Sequence, residues 1–224
     1  MRILFVFIIV IGLQKLTFAQ KEWYLNFSPG LSYAFPAPLI IDQEGYPKIS
    51  FWATYKTEPL ILPPYYSYRA GFFSEGKGWD VEMNHLKIIL NNNPEEIQQF
   101  SITHGYNQVF VSRAIKKPKF GVKYGAGVVL AHPENIIRNL HFDENKGIFG
   151  SGYYLRGPAI QAGFFKELYI TRRFFFLAES KISLAYTNVP VSGGKAHAPI
   201  LAFHLQLGPG YYFIKKSAKT DTLK

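Results

Sequence analysis

Histidine is the residue type in this chain best suited to chemistry near neutral pH. His85 stands two residues before Lys87, and His104 stands three residues before Asn107. A histidine beside a carboxylate can bind a divalent metal or transfer protons. These spacings match no compact metal-ligand motif, and the chain has no G-x-S-x-G elbow, P-loop or H-E-x-x-H motif. The role of each histidine therefore depends on the element that carries it.

The composition excludes several classes of site and partner. The chain has no cysteine, which rules out disulfides and thiolate chemistry. Lys and Arg number 25 against 15 Asp and Glu. These basic residues are scattered and form no nucleic-acid motif, so we expect no nucleic-acid partner. An anionic lipid surface is the partner that this charge favours.

The two ends differ from the middle of the chain. Residues 1–19 have the layout of a signal peptide: Arg2, then an apolar run over residues 3–13, then small residues at Thr17 and Ala19. The run is shorter than the roughly 20 residues of a membrane-spanning helix. We predict cleavage after Ala19, with an uncleaved anchor helix as the alternative. Residues 20–213 then form one domain, and residues 214–224 form a polar C-terminal tail.

Eight segments have the alternation and length of membrane-crossing β-strands. A tilted strand crosses the hydrocarbon with about 9–11 residues. In the last segment Phe203, Leu205 and Leu207 share one face, while His204 and Gln206 share the other. The segments are residues 23–35, 64–74, 78–90, 99–114, 119–131, 153–165, 174–187 and 199–213.

The links between these segments alternate in length. The short links are residues 74–78, 115–118 and 166–173, and the longer ones are residues 36–48, 91–98, 132–152 and 188–198. Short turns on one side, long loops on the other and abundant aromatic residues are typical of outer-membrane barrels. The prediction is an all-β fold: an eight-stranded antiparallel up-and-down transmembrane β-barrel with short periplasmic turns and longer extracellular loops. We expect a monomer in the outer membrane of a Gram-negative cell.

A soluble barrel is the alternative fold, but it would turn its large apolar residues inward. Residues 49–57 also have strand character, and prolines at positions 59, 63 and 64 follow them. Because proline removes a ladder donor, we expect an extracellular extension or an extra hairpin strand there.

Several charged side chains fall on the inward face of the predicted barrel. The alternation turns Arg69 and Glu82 inward and brings them close across a tight turn. An inward charge needs a partner, because an eight-stranded lumen has no room for bulk water. The predicted lumen network comprises Arg69, Glu82, Glu179, Lys181 and His204. Such a network can plug the barrel or serve a site.

The alternation changes phase near the end of the third segment. Trp79, Val81 and Met83 are outward, and the apolar residues that follow would be outward at even positions: Leu86, Ile88 and Leu90. A β-bulge at Asn84–His85 would account for this shift. It would turn His85 and Lys87 inward, near the extracellular rim.

Three motifs in series resemble the outer-membrane barrel family that includes the lipid A oxidases: PYYSYRA at residues 64–70, GWDVEMNHLK at 78–87 and THGYN at 103–107. Later segments resemble it too, with YGAGV at 124–128, GPAIQ at 157–161 and ESK at 179–181. The resemblance runs in the same order from about residue 64 to residue 213.

For its oxidase members, the resemblance implies oxygen-dependent oxidation of the proximal glucosamine of lipid A, aided by a divalent metal. It implies Glu82, His85, Lys87 and His104 as catalytic candidates, with Glu179 and Lys181 nearby. Glu82 and His85 would be the metal ligands, and Lys87 would contact a lipid phosphate. The sequence favours a non-enzymatic barrel with a structural or binding role, keeps the lipid A-modifying enzyme as the alternative, and disfavours a pore.

Overall fold

The computed structural model describes residues 21–143 and 147–213. The predicted signal segment at residues 1–19 and the predicted tail at residues 214–224 lie outside these ranges. Among the described residues no helix has the length and apolar character needed to cross a bilayer. The strands are β1 (Glu22–Ala34), β2 (Ala37–Gln43), β3 (Ile49–Ala53), β4 (Tyr55–Lys56), β5 (Tyr66–Ser74), β6 (Lys77–Leu90), β7 (Ile97–Lys116), β8 (Gly121–Ala131), β9 (Glu134–Ile137), β10 (Leu140–His141), β11 (Tyr154–Tyr169), β12 (Phe174–Val191) and β13 (Gly194–Tyr212), with one short 3₁₀ helix at Ile148–Gly150.

Eight of these strands close into a ring, which confirms the predicted fold class. Each pairs antiparallel with its neighbours in the order β7, β8, β11, β12, β13, β1, β5 and β6, and β6 pairs back with β7. The turn from β5 to β6 has only two residues, Glu75 and Gly76, both with positive φ. Two positive φ angles give the turn the twist that a two-residue hairpin requires.

The outer wall has the predicted apolar face. On β13 the side chains of Phe203, Leu205 and Leu207 are exposed, whereas those of His204 and Gln206 are buried in the lumen. The same alternation runs through β8 and β12. A continuous band of exposed aromatic and aliphatic side chains around a closed ring is the surface that a bilayer covers.

The extracellular links are largely strands rather than loops, which corrects part of the prediction. β12 and β13 continue as one hairpin up to a two-residue turn at residues 192–193, so residues 188–198 form no long loop. Residues 49–57 contribute β3 and β4, as expected for an added hairpin. β2 pairs with β3 and with the top of β13, which extends the wall above the membrane.

The phase shift predicted in β6 does not occur. Pairing with β5 is unbroken through Asn84 and His85, and the irregularity with β7 lies further on, between Leu86 and Ile88. Even-numbered residues face inward along the whole of β6, so Leu86 and Ile88 are buried inside and His85 lies on the outer face. The prediction failed because apolar side chains were assigned to lipid, although this end of the barrel encloses an apolar core.

Apolar side chains fill both ends of the lumen. Near the periplasmic turns, a cluster dominated by aromatic rings packs across the barrel: Tyr24, Phe73, Ala114, Phe165, Phe175, Leu177 and Tyr212. A larger cluster fills the extracellular end and joins the added strands to the barrel, and its members include Leu39, Ile41, Ile88, Phe100 and Ile200. The polar side chains of the lumen therefore lie between two apolar layers.

Candidate functional site

Glu82 lies at the centre of the charged layer in the middle of the lumen, where it contacts three basic side chains. Its carboxylate accepts a hydrogen bond from Arg69 Nη2 at 2.9 Å and another from Lys123 Nζ at 2.5 Å. It also contacts Lys181 Nζ, and Gln161 Nε2 donates to it at 2.9 Å. Glu82 is fully buried, so these contacts replace all of its water. One carboxylate thus holds three cations together.

A second carboxylate completes the charged layer. Glu179 accepts a hydrogen bond from Arg69 Nη2 at 2.6 Å and lies 3.1 Å from Lys123 Nζ. Asp80 is buried beside them and accepts a hydrogen bond from the hydroxyl of Tyr24 at 3.1 Å. Three acidic groups therefore face three basic groups. A balanced set is what a narrow lumen without bulk water requires.

A neutral polar layer lies next to the charged layer, towards the extracellular side. His204 shares a 2.7 Å hydrogen bond with Ser183 and lies against the ring of Tyr65. Gln206 Nε2 donates to the Tyr65 hydroxyl at 2.5 Å, and Asn84 Oδ1 accepts from Lys181 at 2.8 Å. These bonds link the charged layer to the apolar core above it.

The structure thus brings the five predicted lumen residues together: Arg69, Glu82, Glu179, Lys181 and His204. Lys123 and Asp80 also belong to the charged layer, and the sequence did not predict either as a member. The missing information was ring closure, because β6 and β8 are not paired with each other and only the narrow lumen brings Lys123 to Glu82.

His85 and Lys87 lie on the outer wall, away from this network. The His85 ring stacks on Tyr66 with centroids 4.8 Å apart, and His85 Nδ1 shares a 2.9 Å hydrogen bond with Asn107. Lys87 Nζ donates to the backbone carbonyl of Ile61 at 2.9 Å. Both side chains are nevertheless buried, because neighbouring residues cover them from outside.

His104 belongs to a third group, at the rim. It contacts the carboxylate of Glu134, and the same carboxylate accepts a 2.5 Å hydrogen bond from Thr103. The ring of His132 lies 5.2 Å from that of His104, and the Tyr153 hydroxyl donates to the backbone carbonyl of His104 at 2.6 Å. The His104 side chain is mostly exposed. The pair is therefore accessible from the outer surface.

The metal site implied for Glu82 and His85 does not fit this arrangement. The two residues are three apart on one strand, so their side chains point to opposite faces of the wall. Glu82 points into the lumen, and His85 stacks on the outward-facing Tyr66. Within residues 21–143 and 147–213, no three His, Cys, Asp or Glu side chains are grouped so as to hold a metal ion. The four catalytic candidates are therefore divided among the lumen, the wall and the rim.

Comparison with solved structures identifies the fold. The solid-state NMR structure of the outer membrane protein AlkL in DMPC bilayers matches 89% of this chain and 93% of that one, with 13% identity and a TM-score of 0.52. OprG of Pseudomonas aeruginosa matches over 88% and 98%, with 10% identity and a TM-score of 0.46. Outer membrane protein W of E. coli matches over 88% and 100%, with 12% identity and a TM-score of 0.42.

No protein-family model matches the chain, and no curated protein matches it at a significant level. The likeness to AlkL shows the fold, and the apolar band on the outer wall shows independently which surface a bilayer would cover. The ring of eight antiparallel strands closes around a lumen filled by its own side chains. The chain is a small outer-membrane β-barrel protein.

Proposed function

We propose that this protein is a sealed barrel that acts by binding lipid of the outer membrane, including lipopolysaccharide, and not by conducting solutes. The observation that carries the proposal is the filled lumen, with apolar layers at both ends of a charge-balanced middle. A lumen without a water path leaves the outer wall and the two rims as working surfaces.

Two features of the outer surface support lipid as the partner. A groove on the apolar wall is lined by residues that include Tyr124, Gly163, Phe164 and Phe203. It has the shape and polarity to take an acyl chain. Exposed cations crowd the periplasmic turns, where they reach the level of lipid headgroups: Lys77, Lys117, Lys119, Lys166, Arg172 and Arg173. Each such cation contributes about 1 kcal/mol of attraction to an anionic bilayer surface.

One mass-spectrometric experiment tests the proposal. Protein extracted from outer membranes in mild detergent should carry bound anionic lipid. The triple variant Lys117→Gln, Lys119→Gln, Lys166→Gln should retain several-fold less, because it removes headgroup contacts. The control variant Lys48→Gln, Lys56→Gln, Lys195→Gln removes as much charge from the opposite rim and should retain the wild-type amount. Equal retention by all three proteins would contradict lipid binding at the periplasmic rim.

A lipid A-modifying enzyme is the second candidate, and the exposed His104–Glu134 pair favours it. As in the lipid A oxidases that the sequence resembles, the reaction would be oxygen-dependent oxidation of the proximal glucosamine. A mass spectrum of lipid A decides this point, because oxidised lipid A gains one oxygen atom. We expect unchanged lipid A in cells with and without the protein. A gain that disappears in the His104→Ala variant would instead establish the enzyme.

A further inference from the structure

Three consecutive apolar side chains stand out from the surface between β4 and β5. Leu60 is 78% exposed, Ile61 is 58% exposed and Leu62 is 84% exposed. They form the tip of a short loop, residues 59–64, that also contains three prolines. Soluble surfaces rarely expose so many large apolar side chains together. We therefore expect these three side chains to lie in an apolar environment.

The loop is held firmly at its base. The Tyr65 backbone N–H donates to the Pro59 carbonyl at 2.8 Å, which closes the loop on itself. Thr57 Oγ1 donates to the Ser32 carbonyl of β1 at 2.6 Å. These bonds fix the direction in which the tip projects.

The loop lies against the outside of the wall, over β6. On this side of β6, β5 pairs as far as His85, and β4 pairs again only at Ile89 and Leu90. The loop leaves the sheet in the interval between them. Lys87 lies in this interval and bonds to the Ile61 carbonyl, and its side chain is only 5% exposed. The loop therefore covers an outward-facing lysine.

The depth of Lys87 places the loop in the bilayer. Trp79 lies in the periplasmic aromatic girdle, where it pairs with Phe72 and Phe72 contacts Trp23. Lys87 is eight residues further along β6. At about 3.3 Å per residue and a strand tilt of about 40°, it lies about 20 Å above the girdle, within an apolar band about 25 Å tall.

We infer that residues 59–64 form a lipid-facing loop, which inserts among the acyl chains of the outer leaflet and covers Lys87 from them. A lysine exposed on the lipid face destabilises a barrel. By covering Lys87, the loop removes this destabilisation. The exposed tip continues the apolar surface formed by Phe27, Tyr66 and Tyr68 next to it. Acyl chains are therefore the surroundings that fit both the exposed tip of the loop and the apolar wall next to it.

A fluorescent label on a single introduced cysteine tests this inference, because the chain has no cysteine of its own. The full protein is folded into phospholipid vesicles as the Leu62→Cys variant, with Leu60→Cys as a second position. Lipid carrying a nitroxide on its acyl chain should quench both labels strongly, and aqueous iodide should quench them weakly. The control variant Glu44→Cys, in the exposed turn between β2 and β3, should show the opposite pattern.

Two results would overturn the inference. Strong iodide quenching at positions 60 and 62, equal to that at position 44, would place the loop in water. Protection from both quenchers would show that protein covers the tip, as in a second copy of this chain. Because these readouts do not depend on headgroup binding or on the lumen, their failure is distinguishable from failure of the proposed function.

Discussion

Replacing Glu82 with glutamine should lower the free energy of unfolding by about 3–5 kcal/mol, the usual effect of removing one partner from a buried ion pair. The side chain keeps its shape, but Arg69, Lys123 and Lys181 lose the carboxylate that all three contact. Water cannot replace it, because the lumen is closed at both ends. The measurement is equilibrium unfolding in denaturant of the protein folded in detergent micelles.

Two further variants show whether charge balance is the cause. Glu95→Gln removes the same charge from an exposed loop and should leave stability unchanged. Glu82→Gln combined with Lys181→Met removes one charge of each sign from the lumen, so it should recover much of the lost stability. A Glu82→Gln variant as stable as the wild-type protein would contradict a network held by charge balance. A double variant no more stable than Glu82→Gln would contradict it as well.

Replacing Ile41 with aspartate should open the extracellular part of the protein. Ile41 is fully buried in the apolar core that joins β2 and β3 to the barrel. A carboxylate there has no partner, and burying it would cost at least about 3 kcal/mol. The added strands should detach and become sensitive to protease, while the membrane-spanning part stays folded.

Limited proteolysis followed by mass spectrometry of the fragments measures this effect. The wild-type protein should resist cleavage throughout β2 and β3. The control Ile40→Asp alters the neighbouring residue, which is only partly buried on the other face of β2, and should remain resistant. Rapid cleavage of the wild-type protein within these strands would show that the extracellular links are mobile loops after all.

Alternation was enough to predict the barrel, because a lipid-facing wall and a narrow lumen impose opposite polarities on successive residues. The same rule failed at the extracellular end of the barrel. There the wall encloses an apolar core, so Leu86, Ile88 and Leu90 face inward although they resemble lipid-facing residues. Residues 188–198 form a hairpin and not the predicted loop for a related reason, since the local pattern does not show the added strand that pairs with it.

The sequence did not show which lumen side chains contact each other across the barrel, because those contacts depend on how the ring of strands closes. Arg69 and Glu82 could be paired because a tight turn brings their strands together. Lys123 could not be assigned, because its contact with Glu82 crosses the lumen between strands that do not pair. The position of the loop over Lys87 could not be predicted from the sequence either, because it depends on where β4 and β5 stop pairing with β6.

Electrical recording across a planar lipid bilayer tests the sealed barrel most directly. The folded protein is inserted, and its insertion is checked by protease protection of the membrane-spanning strands. We expect the wild-type protein to produce no current steps above those of the lipid alone, because side chains fill the lumen. Stable, reproducible conductance steps from the wild-type protein would show an open water path and contradict the sealed barrel.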